Sequence, residues 1–232
     1  MKRVMIFLGL LFISYQLSAN IIVNGTRVIY YESNKDVAVQ LTNTGDASAL
    51  VQAWLDDGDI NSTPENANVP FLLSPPVSKI NPLSGQQLRI KKLPYAFAAD
   101  RESLYYLNIL DIPATAADKK GKNTLQLALK TRLKFFYRPN ALAKLSTEAI
   151  YQQVTYQRVG QQITIKNSSP FYFTVAAITP QNKKQPNYIE PVMVAPFAQS
   201  TVTTKTSMGN QQLQVIYVDD YGDFIGKPIT LQ

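Results

Sequence analysis

A single stretch, residues 125–139, limits the folds open to this chain. It reads LQLALKTRLKFFYRP. Taken in steps of two, Leu125, Leu127, Leu129, Leu133, Phe135 and Tyr137 fall on one side, and Gln126, Lys130, Arg132, Lys134 and Arg138 on the other. That is the period of a strand with one apolar and one basic face. Leu125, Leu129, Leu133 and Phe136 also stand near helical spacing, among good helix formers. The strand reading is preferred, because Leu127 and Phe135 would leave a helix's apolar stripe and the run closes in aromatics and a proline. At roughly 3.3 Å per residue such a ribbon spans about 43 Å, long for a strand. An apolar strand at a sheet edge invites pairing, so an uncovered ribbon here points to another chain as its partner.

The rest of the composition fits a β-protein. At 232 residues, 45% hydrophobic and 17% charged, the chain is globular, with room for one large or two smaller domains. It holds 13 tyrosines and 10 phenylalanines, residue types that favour strands. It has no histidine and no cysteine. That excludes Ser-His-Asp and Cys-His nucleophiles, His/Cys zinc sites and disulfides. The formal charge is +7, which less the two charges of Lys2 and Arg3 leaves +5. Lys91-Lys92, Lys119-Lys120-Lys122 and Lys183-Lys184 fall in expected loops, with no nucleic-acid signature.

Residues 1–19 read as an export leader. Lys2 and Arg3 supply the charged start, residues 4–13 the apolar middle, and Ala19 a small residue before a cleavage point at Asn20. The apolar run is far short of the roughly 20 residues a membrane helix needs. No membrane insertion is expected elsewhere.

Beyond the leader, short β-rich runs alternate with turn signals: residues 21–31, 37–42, 49–55 with the sole tryptophan at Trp54, 71–76, 87–90 and 104–112. This spacing reads as a β-sandwich. Residues 140–144 look like a linker. Runs at 151–156, 161–166, 172–179, 188–195, 199–204 and 211–218 then restart the pattern over about 90 residues, the size of a second sandwich. The division expected is residues 20–140 and 145–232, behind the leader.

The residues also match a family. Gly25-Thr26-Arg27-Val28-Ile29-Tyr30, Leu41-Thr42-Asn43, Gln52-Ala53-Trp54, Ser74-Pro75-Pro76, Leu88-Arg89-Ile90, Asp100-Arg101-Glu102-Ser103-Leu104-Tyr105-Tyr106-Leu107-Asn108, Leu133-Lys134-Phe135-Phe136-Tyr137-Arg138-Pro139 and Asp220-Tyr221-Gly222 stand in order and at compatible spacing. Together they resemble the periplasmic chaperones of the chaperone–usher pilus pathway. The resemblance implies an all-β chain of two immunoglobulin-like β-sandwich domains arranged as a boomerang. It implies that Arg27 and Lys134 hold the C-terminal carboxylate of a pilus subunit. It implies that Leu125, Leu127 and Leu129 enter the groove of a subunit lacking its final strand; the same leucines could equally fill the chaperone's own core. Arg89, Glu102 and Asp220 match a charge network bridging the two domains. Arg101 and Glu102 are neighbours on a strand and cannot both face inward, which favours Glu102 as the inward one. The partners implied are pilus or fimbrial subunits and an outer-membrane usher, with self-association of the free protein through its open strand as a further route. Neither cofactor nor metal is expected.

The segment at residues 114–123 is short and polar, which resembles the short-loop branch serving rod-shaped pili. The remaining features fit other functions poorly. Asp56-Asp57-Asp59 and Asp219-Asp220-Asp223 are the only dense carboxylate sets; they lack the spacing of a calcium loop and no catalytic constellation surrounds them. A structural or adhesive sandwich protein of the cell surface would not need Arg27 and Lys134 in one cleft. The sequons at Asn24 and Asn167 are read as chance.

Overall fold

The computed structural model describes residues 21–113, 127–145, 147–181, 188–205 and 212–231. The expected leader and Leu125 lie outside the described residues, as does the polar segment after Pro113.

Nine strands build the first sandwich: β1 (Ile21–Val23), β2 (Arg27–Tyr31), β3 (Val37–Asn43), β4 (Ala49–Asp56), β5 (Phe71–Ser74), β6 (Val77–Ile80), β7 (Gly85–Lys92), β8 (Ser103–Pro113) and β9 (Leu129–Arg138). One sheet runs β1-β3-β7-β5 and the other β2-β9-β8-β4-β6. The run at residues 21–31, continuous in sequence, changes sheets midway. Gly25 adopts φ +95°, a conformation costly for side chains with a Cβ. This break sends Arg27 to the start of β2, beside β9. Between the sheets lie Tyr30, Leu41, Leu88, Ile90, Leu107, Ile109, Phe135 and their neighbours. Phe71 is edge-on to Phe135 at 4.9 Å, a geometry the ring quadrupoles favour.

A short 3-10 turn, Asn140–Leu142, and a helix, α1 (Thr147–Tyr151), lead to the second sandwich. Its strands are β10 (Val154–Val159), β11 (Gln162–Asn167), β12 (Phe173–Pro180), β13 (Val192–Val194), β14 (Gln199–Thr203), β15 (Leu213–Val218) and β16 (Phe224–Ile229). They form a sheet β10-β11-β14 and a sheet β13-β12-β15-β16. A separate core of Tyr156, Ile163, Ile165, Phe173, Val175, Ile178, Val194, Val215 and Tyr217 fills it, and Leu142 of the turn packs there. Asn167 secures one end of this sandwich by donating to the carbonyls of Phe171 and Ala195. Buried amides of this kind are kept because an unpaired one costs about 1–3 kcal/mol.

Three elements depart from the strand pattern expected, the first being β6, which lies between the expected runs at 71–76 and 87–90. The run at 151–156 begins as the end of α1, and strand pairing starts only at Val154. β16 was not anticipated: its sequence FIGKPI contains Gly226 and Pro228, which weaken any β signal, yet an edge position tolerates both.

Candidate functional site: an open strand edge beside a cleft of cations

The site is organised by the two edges of β9. On one side β8 pairs with it antiparallel from Asp111↔Leu129 to Ser103↔Tyr137. On the other, β2 pairs with it parallel, from Arg27↔Lys134 to Tyr31↔Arg138. Residues 129–133 therefore have no strand on that second edge among the described residues. Their backbone groups face outward as an unfilled ladder, about 16 Å long at the usual rise.

The two faces of β9 divide the work. Leu133, Phe135 and Tyr137 join the core. The same row continues past the core's edge as Leu129, 53% exposed, and Leu127, 70% exposed. One apolar row is thus core at its C-terminal end and surface at its N-terminal end. The opposite face is pinned from behind. Lys130 Nζ sits 5.0 Å above the Trp54 ring and donates to the Ile60 carbonyl at 3.1 Å. The Trp54 indole in turn donates to Ser62 Oγ at 3.0 Å. Arg132 stacks 3.8 Å over Tyr106 and pairs with Asp56, which also accepts from Asn108. Burial alone would push the Asp56 carboxyl up, but the bonds from Arg132, Asn108 and the Gly58 N–H bring it below its ordinary value.

Next on that face, Lys134 meets Arg27 across the β2–β9 register. Both are half-buried, and neither has a carboxylate within ion-pair distance among the described residues. Lys134 Nζ donates to Thr174 Oγ1 at 3.3 Å. Arg27 Nη1 donates to the Val218 carbonyl at 3.4 Å, while its Nε is buried with no acceptor among the described residues. Burial, and then the positive Arg27, depress the Lys134 ammonium. Burial likewise lowers the Arg27 guanidinium, partly offset by Asp220, Asp219 and Glu102. Two like charges held at strand spacing with a spare donor have the chemistry to take an anion between them. A carboxylate could take the guanidinium fork and the ammonium together.

At the end of β9, Arg138 is 5% exposed and Glu102 4%. Arg138 donates to Glu102 Oε1 through Nε at 2.8 Å, and to Asp220 through Nη1 at 2.6 Å and Nη2 at 2.9 Å. Glu102 accepts the Tyr172 N–H at 2.9 Å through its other oxygen. Burial raises the Glu102 carboxyl despite the pull of Arg138. Glu102 and Asp220 thus meet between the sandwiches, and their cation is Arg138.

Arg89 is the correction. It lies on β7, where Leu88 and Ile90 point inward, so its side chain points out from the other sheet. It reaches Asp36 at 3.6 Å with 64% of the side chain exposed. The signal for Arg138 was present in the sequence, since the alternation placing Lys134 on the basic face places Arg138 there too. Nothing in the sequence pointed to Thr174 or to the support behind Lys130 and Arg132. Among the described residues no group of three or more metal-ligating side chains occurs.

The family comparisons agree along the chain. Residues 20–143 match the family model described as pili and flagellar-assembly chaperone, PapD N-terminal domain, and residues 149–226 match the pili assembly chaperone PapD, C-terminal domain. The chain is 42% identical over 211 residues to the probable fimbrial chaperone YehC of Escherichia coli, covering 91% of this chain and 87% of that protein. It is 38% identical to the chaperone protein MrkB of Klebsiella pneumoniae, with both chains covered in full. Among solved structures, the CupB2 chaperone of Pseudomonas aeruginosa superposes with a TM-score of 0.77 at 28% identity, covering 91% of this chain and all of that one.

Proposed function

The chain belongs to the family of pili-assembly chaperones and is a chaperone of pilus subunits, and from that premise we propose that it lends the open edge of β9 to its client while Arg27 and Lys134 hold the client's C-terminal carboxylate. The observation that carries this reading is that β2 begins where the open edge ends. A client strand laid along residues 129–133 with its carboxylate at Arg27 and Lys134 must run parallel to β9. It then lies in line with β2, as a tandem neighbour on the same edge. Main-chain bonds supply affinity, and Leu127 and Leu129, with Leu125 before them, fill pockets of the incomplete client. Burying each leucine contributes about 1.5–3 kcal/mol before ordering costs. A terminal carboxylate belongs to every subunit, so this anchor is indifferent to client sequence.

Glu102, Asp220 and Arg138 fix the angle at which the second sandwich meets the first, holding Thr174 and the Val218 carbonyl against the two cations. The function needs no chemical step and no cofactor. Residues 1–19 direct the chain to the periplasm, where subunits are met, and loaded chaperone passes its client to an outer-membrane usher.

The test is co-purification. Lys134→Ala should leave the chaperone folded, since it removes one of two repelling charges, and should abolish recovery of subunit. Undiminished subunit recovery by that variant overturns the anchor.

A further inference from the structure

At the mouth of the first sandwich a carboxylate is buried with half of its bonding capacity unused. Asp111 is 8% exposed and lies in register between Val51 of β4 and Leu129 of β9. It shares the inward face of β8 with the core residues Leu107 and Ile109. Its carboxylate accepts the N–H of Ile21, the first residue of β1, itself only 7% exposed. Among the described residues its Oδ1 is buried without a partner, and no cation pairs with it. A buried carboxylate in that state is costly unless a charged donor completes it, and burial pushes its carboxyl up.

We propose that Asp111 is the receptor for the α-ammonium group that leader removal creates at Asn20. The proposal rests on the reading of residues 1–19 as a cleaved leader. Successive Cα atoms stand 3.8 Å apart. The α-nitrogen of Asn20 and the Ile21 nitrogen, as consecutive backbone nitrogens, are joined through three covalent bonds and so stand within about 4 Å of each other in any conformation, and the Ile21 nitrogen is already bonded to this carboxylate. Before cleavage that position holds a neutral amide with a single N–H. After cleavage it holds a cation with three donors, one of which can reach Oδ1. Such a charge-assisted bond is roughly twice as strong as a neutral one. It ties β1 to β8 directly opposite Leu129, the first residue of the open ribbon. Leader removal thereby completes the end of the sandwich that receives a client.

The experiment uses the mature chain purified from the periplasm. Its mass should place the first residue at Asn20; any other start overturns the proposal and traces the failure to the leader reading. A four-protein cycle then combines Asp111→Asn with transamination of the N terminus, which turns the α-amine into a neutral ketone and spares lysines. Each change alone should lower Tm by about 5 °C or more. The double change should cost little more than either, as coupled partners do. Additive losses, or a full Asp111→Asn loss beside a silent transamination, overturn the pair. The second result would assign Oδ1 to a side chain such as a lysine. Should Asp111→Asn fail to fold, the ionisation of the α-ammonium followed by NMR in the unaltered protein decides. It is expected above the ordinary range of about 7.7–8.0, and a value within or below that range overturns the proposal.

Discussion

Arg138 grips Asp220 with two parallel hydrogen bonds, Nη1 to Oδ2 at 2.6 Å and Nη2 to Oδ1 at 2.9 Å, and so clamps the last residue of β9 to the far sandwich. The clamp acts on the strand that also carries Lys134 and the exposed leucines. A shift of the second sandwich would therefore move Thr174 and the Val218 carbonyl away from Lys134 and Arg27. The same region holds the sandwiches together through the Glu102 N–H to Pro170 carbonyl bond at 3.0 Å and through Arg101, stacked 5.0 Å over Phe197.

Arg138→Ala should strand two carboxylates, one of them buried, and destabilise the folded chain by about 3–5 kcal/mol. Arg89→Ala, which breaks a surface pair, should change stability by less than about 1 kcal/mol. Thermal unfolding of the two variants side by side checks the assignment. Equal effects would return Arg89 to the network.

The apolar row of β9 predicts two separable phenotypes. Leu133→Ala leaves a cavity in the core and should cost about 2–5 kcal/mol. Leu127→Glu alters a position that is 70% exposed, so Tm should hardly move while subunit recovery is lost. Denaturant unfolding paired with co-purification reads both. A folded Leu127→Glu chaperone that still yields normal complex would remove this row from the client interface.

Alkaline pH should weaken client binding earlier than an ordinary lysine would allow. Lys134 in the free protein is depressed from 10.5 by burial and by Arg27, and a bound carboxylate would draw it upward again. Affinity is then full below the free-protein value and falls as pH rises through it. The free chaperone behaves oppositely. Its unfolded chain holds that proton more tightly, so raising pH from the depressed value toward 10.5 favours the folded state. Subunit affinity measured from neutral to about pH 10 checks the first sign, with Lys134→Arg, which keeps its proton throughout, as the flat control.

Period-2 alternation in the sequence carries much of this architecture, and its limits explain what sequence alone leaves out. Alternation places Leu133, Phe135 and Tyr137 opposite Lys134 and Arg138. It says that Arg89 points away from Leu88 and Ile90, but not which sheet it leaves or whether that side faces solvent or the other sandwich. That depends on pairing between β7 and β3, set by residues some fifty positions apart. Thr174 escapes for the same reason, since only the packing of two independent cores brings it to Lys134. The sheet change at Gly25 is local, yet a glycine inside a β-rich run reads equally as a bulge.

Among the described glycines, Gly222 makes the tightest approach, to Thr26. Gly222 holds φ +91°, and a Cβ built there would collide with Thr26 Oγ1. The turn carrying Gly222 is fixed by Asp219, whose carboxylate accepts the N–H groups of Tyr221 and Asp223 at 2.9 and 2.8 Å, so it cannot yield freely. Thr26 directly precedes Arg27, and the collision would displace Arg27 together with the join between the sandwiches. Gly222→Ala should therefore lower stability by about 1–3 kcal/mol and reduce subunit recovery. Adding Thr26→Gly removes the collision but leaves the strained φ. The pair should regain client binding while recovering only part of the lost Tm. If Thr26→Gly restores neither, the loss in Gly222→Ala comes from the turn's own backbone, and the approach of Gly222 to Thr26 has no part in setting the anchor.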